Sequence, residues 1–544
     1  MAAYGIDLGT TYSCVAKIDD TGRAVVLKNT AGEDTTPSVV YFETPKNVVV
    51  GRTAKDSAVL APDLVASLVK RDMGNSDVRW EYHGEEHTPE SVSALILREL
   101  ARAAAEQSGE QVCDVVITVP AYFGLAEREA TRRAGKMAGL EVLDLLAEPV
   151  AAALHYQALN DTGGTRHLLV YDLGGGTFDT TVIRLSGADV EVVCTDGDHK
   201  LGGADWDAKI IDFLVHAFTA EQPDIDPGAD EQGMQDVAST AEKLKKELSQ
   251  AQSRKAILRF DGKAVPVELS RSQLEELTEV LLDRTLDITD RTITTAREKG
   301  VTTFDDVLLV GGMTRMPAVA AALHKRFGLD AKLHEPDLAV AKGAALFAVI
   351  KQVKVQMPED ATPAQARQAA RRVADQLGMD VEHVEELAAK KVATVVPRAF
   401  GIKSLDSRDP LSRTDPDNAR SIVAHLLEAN TPLPVDTGPQ TFYTVVDNQR
   451  EVLLEVWEQA GSTASEELEH NTHIGEGMLA GLPPRPAGAP FDVTFYMTET
   501  GLLTVHGQEK GSGREVRFEI QIGGLNDEQV LQAQETVSRY AVSG

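Results

Sequence analysis

The segments "GIDLGTTYS" and "VYDLGGGTFDTTV" constrain this chain most, because each ends an apolar run on an aspartate and turns at once through small residues. Asp7-Leu-Gly-Thr-Thr11 is restated as Asp172-Leu-Gly-Gly-Gly-Thr177, so one turn occurs twice at wide separation within 544 residues. That spacing marks a duplicated α/β unit rather than a short tandem array, and two such halves enclose a cleft. Glycine lets backbone approach a ligand closely, and successive N–H groups beside threonine hydroxyls form a concavity for anions. The aspartates would repel phosphate unless a hard divalent ion such as Mg2+ sits among them. The paired turns therefore predict a metal-nucleotide site of their own type. Neither the Gly-x-x-x-x-Gly-Lys-[Ser/Thr] loop nor the Gly-x-Gly-x-x-Gly fingerprint occurs. A third apolar strand, "VLLVGGMTRMP", ends in Gly311-Gly312 and offers backbone against which an adenine or ribose packs.

From residue 1 to about 350, β-branched runs alternate with helical patterns, as in "CDVVITVPAYF" followed by "LAEREATRRAGKMAG". Residues 358–391 change character. Thr362, Pro363 and Gln365 make an N-cap signature, Gly378 ends the first helix, and Asp380 caps a second, predicting a helical hairpin between domains. From about 392 to 522 the pattern has period two, which predicts an all-β domain. A short helix capped by Asn526 or Asp527 follows. The expected units are thus 1–353, 354–391, 392–525 and 526–544.

A formal net charge of -30 argues against general nucleic-acid binding. Cys14, Cys113 and Cys194 are too scattered for a disulfide framework or a zinc site. No basic-then-apolar leader or bilayer-length run appears, so a cytoplasmic protein without membrane association is expected.

Together "GIDLGTTYS", "VITVPAYF", "AEPVAAAL", "YDLGGGTFD", "LGGADWD" and "VLLVGGMTRMP" resemble the ATPase domain of the seventy-kilodalton heat-shock chaperones, the DnaK-type family. "NTPLP", "TFYTVVDNQ", "FDVTFYMTETGLLTVHGQEKGSGRE" and "GLNDEQV" are similar to that family's peptide-binding domain. The resemblance implies a duplicated actin-like α/β ATPase with a central cleft, a helical insertion, and an all-β sandwich that binds peptides. It implies an ATP-hydrolysing stress-response chaperone with ATP/ADP and Mg2+ as cofactors and extended segments of unfolded polypeptides as partners. A specialised J-domain cochaperone and a nucleotide exchange factor are the further partners implied.

Carried over by residue, Asp7, Glu148 and Asp172 would hold the metal. Gly9, Thr10, Thr11, Gly174, Gly175, Gly176 and Gly203 would surround phosphates. Thr177 and Asp179 would flank the attacking water, Lys70 would neutralise charge on the transferred phosphoryl group, and Glu148 would complete the catalytic set. Glu242, Lys245, Lys246 and Ser249, which share one helix face by spacing, would clamp adenosine with Gly311, Gly312, Arg315 and Asp337. Pro120 and Arg128 would relay between domains. The peptide groove would use Ile402, Phe442, Val452, Leu454 and Phe491, with Leu405 and Val445 arching over it; alternation alone assigns most of these to a core.

Several stretches depart from the family pattern. No long helical lid follows the β domain, so fast peptide exchange is expected. Lys391-Val392-Ala393-Thr394 replaces a leucine-rich linker, which predicts weaker docking and reduced or rerouted coupling. Asp144 stands where an arginine commonly meets J-domain proteins, and Ala204 replaces an acid. Three other readings stay open: a small-molecule kinase of the same superfamily, a filament-forming scaffold, and a nucleotide-binding regulator with weakened chaperone coupling.

Overall fold

The computed structural model describes residues 2–160, 164–358, 360–461, 463–520 and 527–544. The duplicated motif becomes a duplicated sheet. One sheet runs Glu141–Ala147, Asp114–Val119, Tyr4–Asp7, Tyr12–Ile18, Ala24–Leu27, with Thr36–Pro37 set against Tyr12–Ile18. The other runs Ala331–Leu333, Asp306–Val310, Thr165–Leu173, Phe178–Ser186, Asp189–Asp198, Lys391–Ala393. In both, the strand ending on the motif aspartate pairs antiparallel with the strand after the turn, through Asp7↔Cys14 and Asp172↔Asp179. Its other neighbour is parallel, through Ile6↔Ile117 and Asp172↔Val310. The two aspartates therefore occupy equivalent ends of equivalent sheets.

Helices Glu148–Leu159 and Ala339–Val355 pack on one another between the sheets, and both are buried along almost their whole length. Their alanines and Gly343 permit this: a Cβ on Gly343 would run into the carbonyl of Ala151, and one on Gly5 into the backbone of Ala345. Glycine at these two positions is set by close approach rather than by an unusual backbone angle.

The hairpin consists of helices Pro363–Leu377 and Val381–Ala388, with the Thr362–Gln365 capping box, left-handed Gly378 at φ 68°, and the Asp380 cap. It is not a spacer between domains. Ala369, Ala370, Val373, Ala374, Val384 and Leu387 join the central core formed by the two helices above, because an apolar stripe of this width needs a partner surface and Ala339–Val355 supplies it. The linker also differs from expectation. Lys391–Ala393 adds a parallel strand to the second sheet through Asp189↔Lys391, Val190↔Val392 and Glu191↔Ala393. Strand addition draws on backbone hydrogen bonds, which do not require the missing leucines.

The β domain packs two sheets face to face. Ser421–Leu427, Phe400–Leu405, Glu451–Gln459 and Asn471–Ala480 form one. Pro490–Met497, Leu503–Glu509 and Glu515–Glu519, with Val435–Asp436 and Gln440–Tyr443 on the first of these, form the other. Phe400, Val456, Val493, Phe495 and Val505 are among the core residues between them.

The last helix, Asp527–Arg539, lies on helices Pro89–Ser108 and Leu125–Met137 of the first lobe; Asn526, one of its two expected caps, lies outside the described residues. Beyond it Ala541–Ser543, a strand not expected from the sequence, pairs in parallel with Asn47–Val50. Tyr540 enters an aromatic cluster with Phe42, Tyr82 and His87, and its hydroxyl lies 3.1 Å from His87 Nε2.

Burial lowers the His87 pKa from the ordinary imidazole value of 6.5 to about 4, so folding favours the neutral ring. The stabilisation is complete above pH 6.5 and is lost as pH falls toward 4, with an upper bound of about 3 kcal/mol. His87→Asn is expected to flatten this part of the acid limb in thermal melts recorded between those two pH values.

Candidate functional site

A cleft of about 650 Å³ opens between the duplicated sheets. The first turn is fixed from behind: Gly9 N donates to Ser13 Oγ at 3.1 Å, and Ser38 Oγ donates to the Gly9 carbonyl at 2.7 Å. The second is closed by Gly174 N to the Thr177 carbonyl at 3.1 Å and tied to the next helix by Gly203 N to the Gly174 carbonyl at 3.0 Å. The turns face each other so closely that a Cβ on Gly175 would strike Thr11, and one on Gly176 would strike Thr10. The glycine turns of both repeats thus meet at one place in the cleft.

Four carboxylates gather at this end of the cleft. Asp7 accepts from Thr118 Oγ1 at 3.1 Å, Asp179 accepts from Tyr122 N at 2.9 Å, and Asp172 and Glu148 are buried beside them. The cation that meets them is Lys70, whose Nζ lies 2.6 Å from Glu148 Oε1, with side-chain exposures of 6% and 10%. Burial first, and the charge of Glu148 second, push the Asp7 and Asp179 carboxyls up to about 7; Asp172 is raised well above the ordinary range for the same two reasons. One ammonium against four clustered carboxylates leaves an excess of negative charge. Among the described residues no three of these carboxylates bring an oxygen each within 4.8 Å of one another, so a hard divalent ion such as Mg2+ would meet them through the water it retains. Glu148 opens its helix, where the helix dipole also favours a carboxylate.

Toward the other end, Lys245 donates to the Gly203 carbonyl and to Asp207 Oδ2, each at 2.8 Å. Glu242 accepts from Lys246 at 2.6 Å and pairs with Lys55; burial opposes ionisation, yet these two lysines hold its carboxyl down to about 2. Ser249 caps that helix, and Gly311, Gly312 and the Arg315–Asp337 ion pair form the facing wall. Gly311 has φ 81°, and a Cβ there would meet the Leu173 carbonyl, so the strand can turn there only as glycine.

The cleft thereby collects Asp7, Gly9, Thr10, Thr11, Lys70, Glu148, Asp172, Gly174, Gly175, Thr177, Gly203, Glu242, Lys245, Lys246, Ser249, Gly311, Gly312, Arg315 and Asp337 in one continuous lining. Gly176 and Asp179 stand behind it. Sequence reasoning passed over Tyr12, Arg71 and Asp207. Tyr12 directly follows the first motif, and its hydroxyl accepts from Lys246 Nζ at 2.9 Å. Arg71 directly follows Lys70, and Asp207 lies one helical turn beyond Gly203.

Pro120 and Arg128 bracket the turn that donates to Asp179: Phe123 N donates to the Pro120 carbonyl at 3.2 Å, and Arg128 Nε to the Phe123 carbonyl at 3.1 Å. The β domain grips this same turn. Tyr122 Oη donates to the Gly461 carbonyl, and Glu458 Oε1 accepts from Leu125 N at 3.2 Å. Arg398 donates to Glu127 Oε1 at 3.0 Å, with its guanidinium 4.8 Å from the Tyr122 ring centroid. Burial pushes the Glu458 carboxyl up to about 7 although Arg398 stands beside it. Alternation marked Glu458 only as one more strand residue. Asp144, for its part, is held by Lys351 and, at 3.9 Å, by Arg132.

Of the groove candidates, Ile402, Leu454 and Phe491 are buried in the β-domain core, and Phe442 and Val452 pack partly exposed against it. The Phe442 and Phe491 rings stack at 6.1 Å. Leu405 is half-buried, and Val445 is 40% exposed at a loop.

Two equivalent sheets with acid-ended phosphate turns across a cleft, joined to a β-sandwich, define a bilobal nucleotide-binding protein with an appended β domain. The sequence model of the family described as Hsp70 protein matches residues 3–363 and 416–543, and the chain belongs to that family. Family membership carries nucleotide binding, an actin-like ATPase and a β-sandwich as the general arrangement. The unmatched residues 364–415 hold most of the hairpin, the linker strand and Phe400–Leu405.

Lys70→Ala removes the ammonium that, among the described residues, pairs with Glu148 at the acidic end. Turnover is expected to fall by about 100- to 1,000-fold, measured as phosphate release, while ATP still binds in a calorimetric titration.

Proposed function

We propose that this chain is an ATP-driven chaperone that hydrolyses Mg-ATP and binds extended apolar segments of unfolded polypeptides. The observation that carries this reading is the convergence of both glycine turns, four carboxylates and Lys70 in one cleft, whose backing turn is held by the β domain. In hydrolysis, water attacks the terminal phosphorus, the bond to the bridging oxygen breaks, and ADP and phosphate leave. Asp7, Asp172 and Glu148 would hold Mg2+, which neutralises phosphate charge when bound. Thr177 and Asp179 orient and polarise the attacking water, and Lys70 offsets charge on the transferred group. The glycine turns hold the phosphates through backbone N–H groups, while Glu242, Lys245, Lys246, Ser249, Arg315 and Asp337 hold the nucleoside. Substrate peptide lies across the face that Phe442, Val452, Leu405 and Val445 leave accessible, bound through backbone hydrogen bonds, while Ile402, Leu454 and Phe491 support that face from within the sandwich core.

Coupling between the two activities passes through the turn at Tyr122, which meets Asp179 with its amide and the β domain with its hydroxyl. Arg398→Ala leaves Glu127 and Glu458 buried without their shared counter-ion, a cost on the order of 3–5 kcal/mol. The expected outcome is a larger radius of gyration in small-angle scattering, together with loss of any peptide stimulation of turnover. J-domain partners meet an acid already claimed by Lys351 and Arg132, so a general J-domain protein at micromolar concentration is expected not to stimulate turnover.

The deciding experiment measures ATP turnover with and without an unfolded peptide, alongside peptide release on adding ATP. Turnover that responds to peptide and release that responds to ATP support the chaperone cycle; release indifferent to ATP refutes it.

A further inference from the structure

The short 3-10 turn Val69–Asp72 that carries Lys70 is entered through a strained residue, Leu68, whose φ of 57° puts a branched side chain in the left-handed region. A turn of that shape persists only where its surroundings fix it. Lys70 reaches into the acidic end of the cleft toward Glu148. Arg71, the next residue, crosses to the opposite lobe: Nε donates to the Gly176 carbonyl at 3.1 Å, Nη1 to Asp205 Oδ1 at 3.3 Å, and Nη2 to Asp205 Oδ2. The acceptors are themselves rigid. Gly176 belongs to the second phosphate turn, and Asp205 accepts from Gly202 N at 2.8 Å at the start of helix Gly203–Glu221. Side-chain exposures of 18% for Arg71 and 28% for Asp205 place the pair mostly out of solvent.

We infer that Arg71 is a positioning residue for phosphoryl transfer: its guanidinium bolts the Lys70 turn of one lobe to the phosphate turn of the other, fixing how deeply Lys70 enters the cleft. The inference rests on the hydrolysis reading above. The planar fork suits the role because two of its nitrogens take both oxygens of Asp205 while the third reaches the Gly176 carbonyl, a geometry that the single nitrogen of an ammonium does not reproduce. A displacement of about 1 Å at a catalytic group costs on the order of 100-fold in rate, so the lysine depends on the neighbour that holds it.

The test compares Arg71→Lys, Arg71→Ala, Asp205→Ala and the Arg71→Ala/Asp205→Ala double variant in the full chain. Two readouts are taken: steady-state ATP turnover, and amide hydrogen exchange at Arg71 and Met73, whose N–H groups close the turn onto the Leu68 and Lys70 carbonyls. Arg71→Ala is expected to lower kcat by about 10- to 100-fold with KM for ATP within about threefold, and to speed exchange at both amides by about tenfold or more. Strand Tyr4–Asp7 keeps its protection and certifies the fold. Arg71→Lys keeps the charge and falls between, and the double variant is no worse than the more damaging single one. Unchanged exchange at the turn overturns the inference. So does a rise in KM with kcat intact, which would make the contact a matter of nucleotide binding. Should the unaltered chain hydrolyse no ATP, the hydrolysis reading fails on that result, and exchange at the turn decides the fate of the bolt by itself.

Discussion

Four carboxylates held out of water around one ammonium set the terms for the rest of the molecule. Burial first, and the like charge of Glu148 second, raise the pKa values of Asp7, Asp172 and Asp179, so the cluster is costly to hold together. Such a cluster survives only on a scaffold that prevents its members from moving apart. Two matched sheets supply it, each ending on one aspartate, with the Glu148 helix wedged between them. The close packing of the central helices through Gly5, Gly343 and the alanine runs then reads as the means of keeping the two sheet ends together.

The acidic centre is also where the β domain exerts its influence. Tyr122 spans the distance with one residue, since its amide serves Asp179 and its hydroxyl serves Gly461. Motion of the β domain would therefore change the orientation of the Asp179 carboxylate behind the acidic end of the cleft, with few intervening degrees of freedom. Coupling of this kind needs two alternative arrangements that both ends bias, and the docked one is stabilised by the Arg398 ion pairs and the linker strand.

Much of this was legible in the residues. Repetition of Asp-Leu-Gly announced the duplicated sheet and the acid-ended turns that meet at the cleft. Lys70 carried no pattern of its own and was found by family likeness alone, although its burial and its pairing with Glu148 are now plain. The hairpin helices and their caps followed from Thr362, Gly378 and Asp380, but their docking did not: an apolar stripe states that it needs a partner, not which one. Linker strand formation was hidden because backbone pairing leaves little trace in side chains. Contacts such as Glu458 with Leu125 join residues hundreds of positions apart and have no local signature at all.

The terminal strand gives the order of synthesis a role in folding. His87 and Tyr540 lie 453 residues apart, so the first lobe leaves the ribosome with its aromatic cluster uncovered and one strand of its small sheet still unmade. At 5–20 residues per second that interval lasts roughly 20 to 90 s. During it, the growing chain presents Phe42, Tyr82 and the edge at Asn47–Val50 to whatever else is nearby. A member of a chaperone family is thus, for most of its own synthesis, a chain with an exposed apolar face.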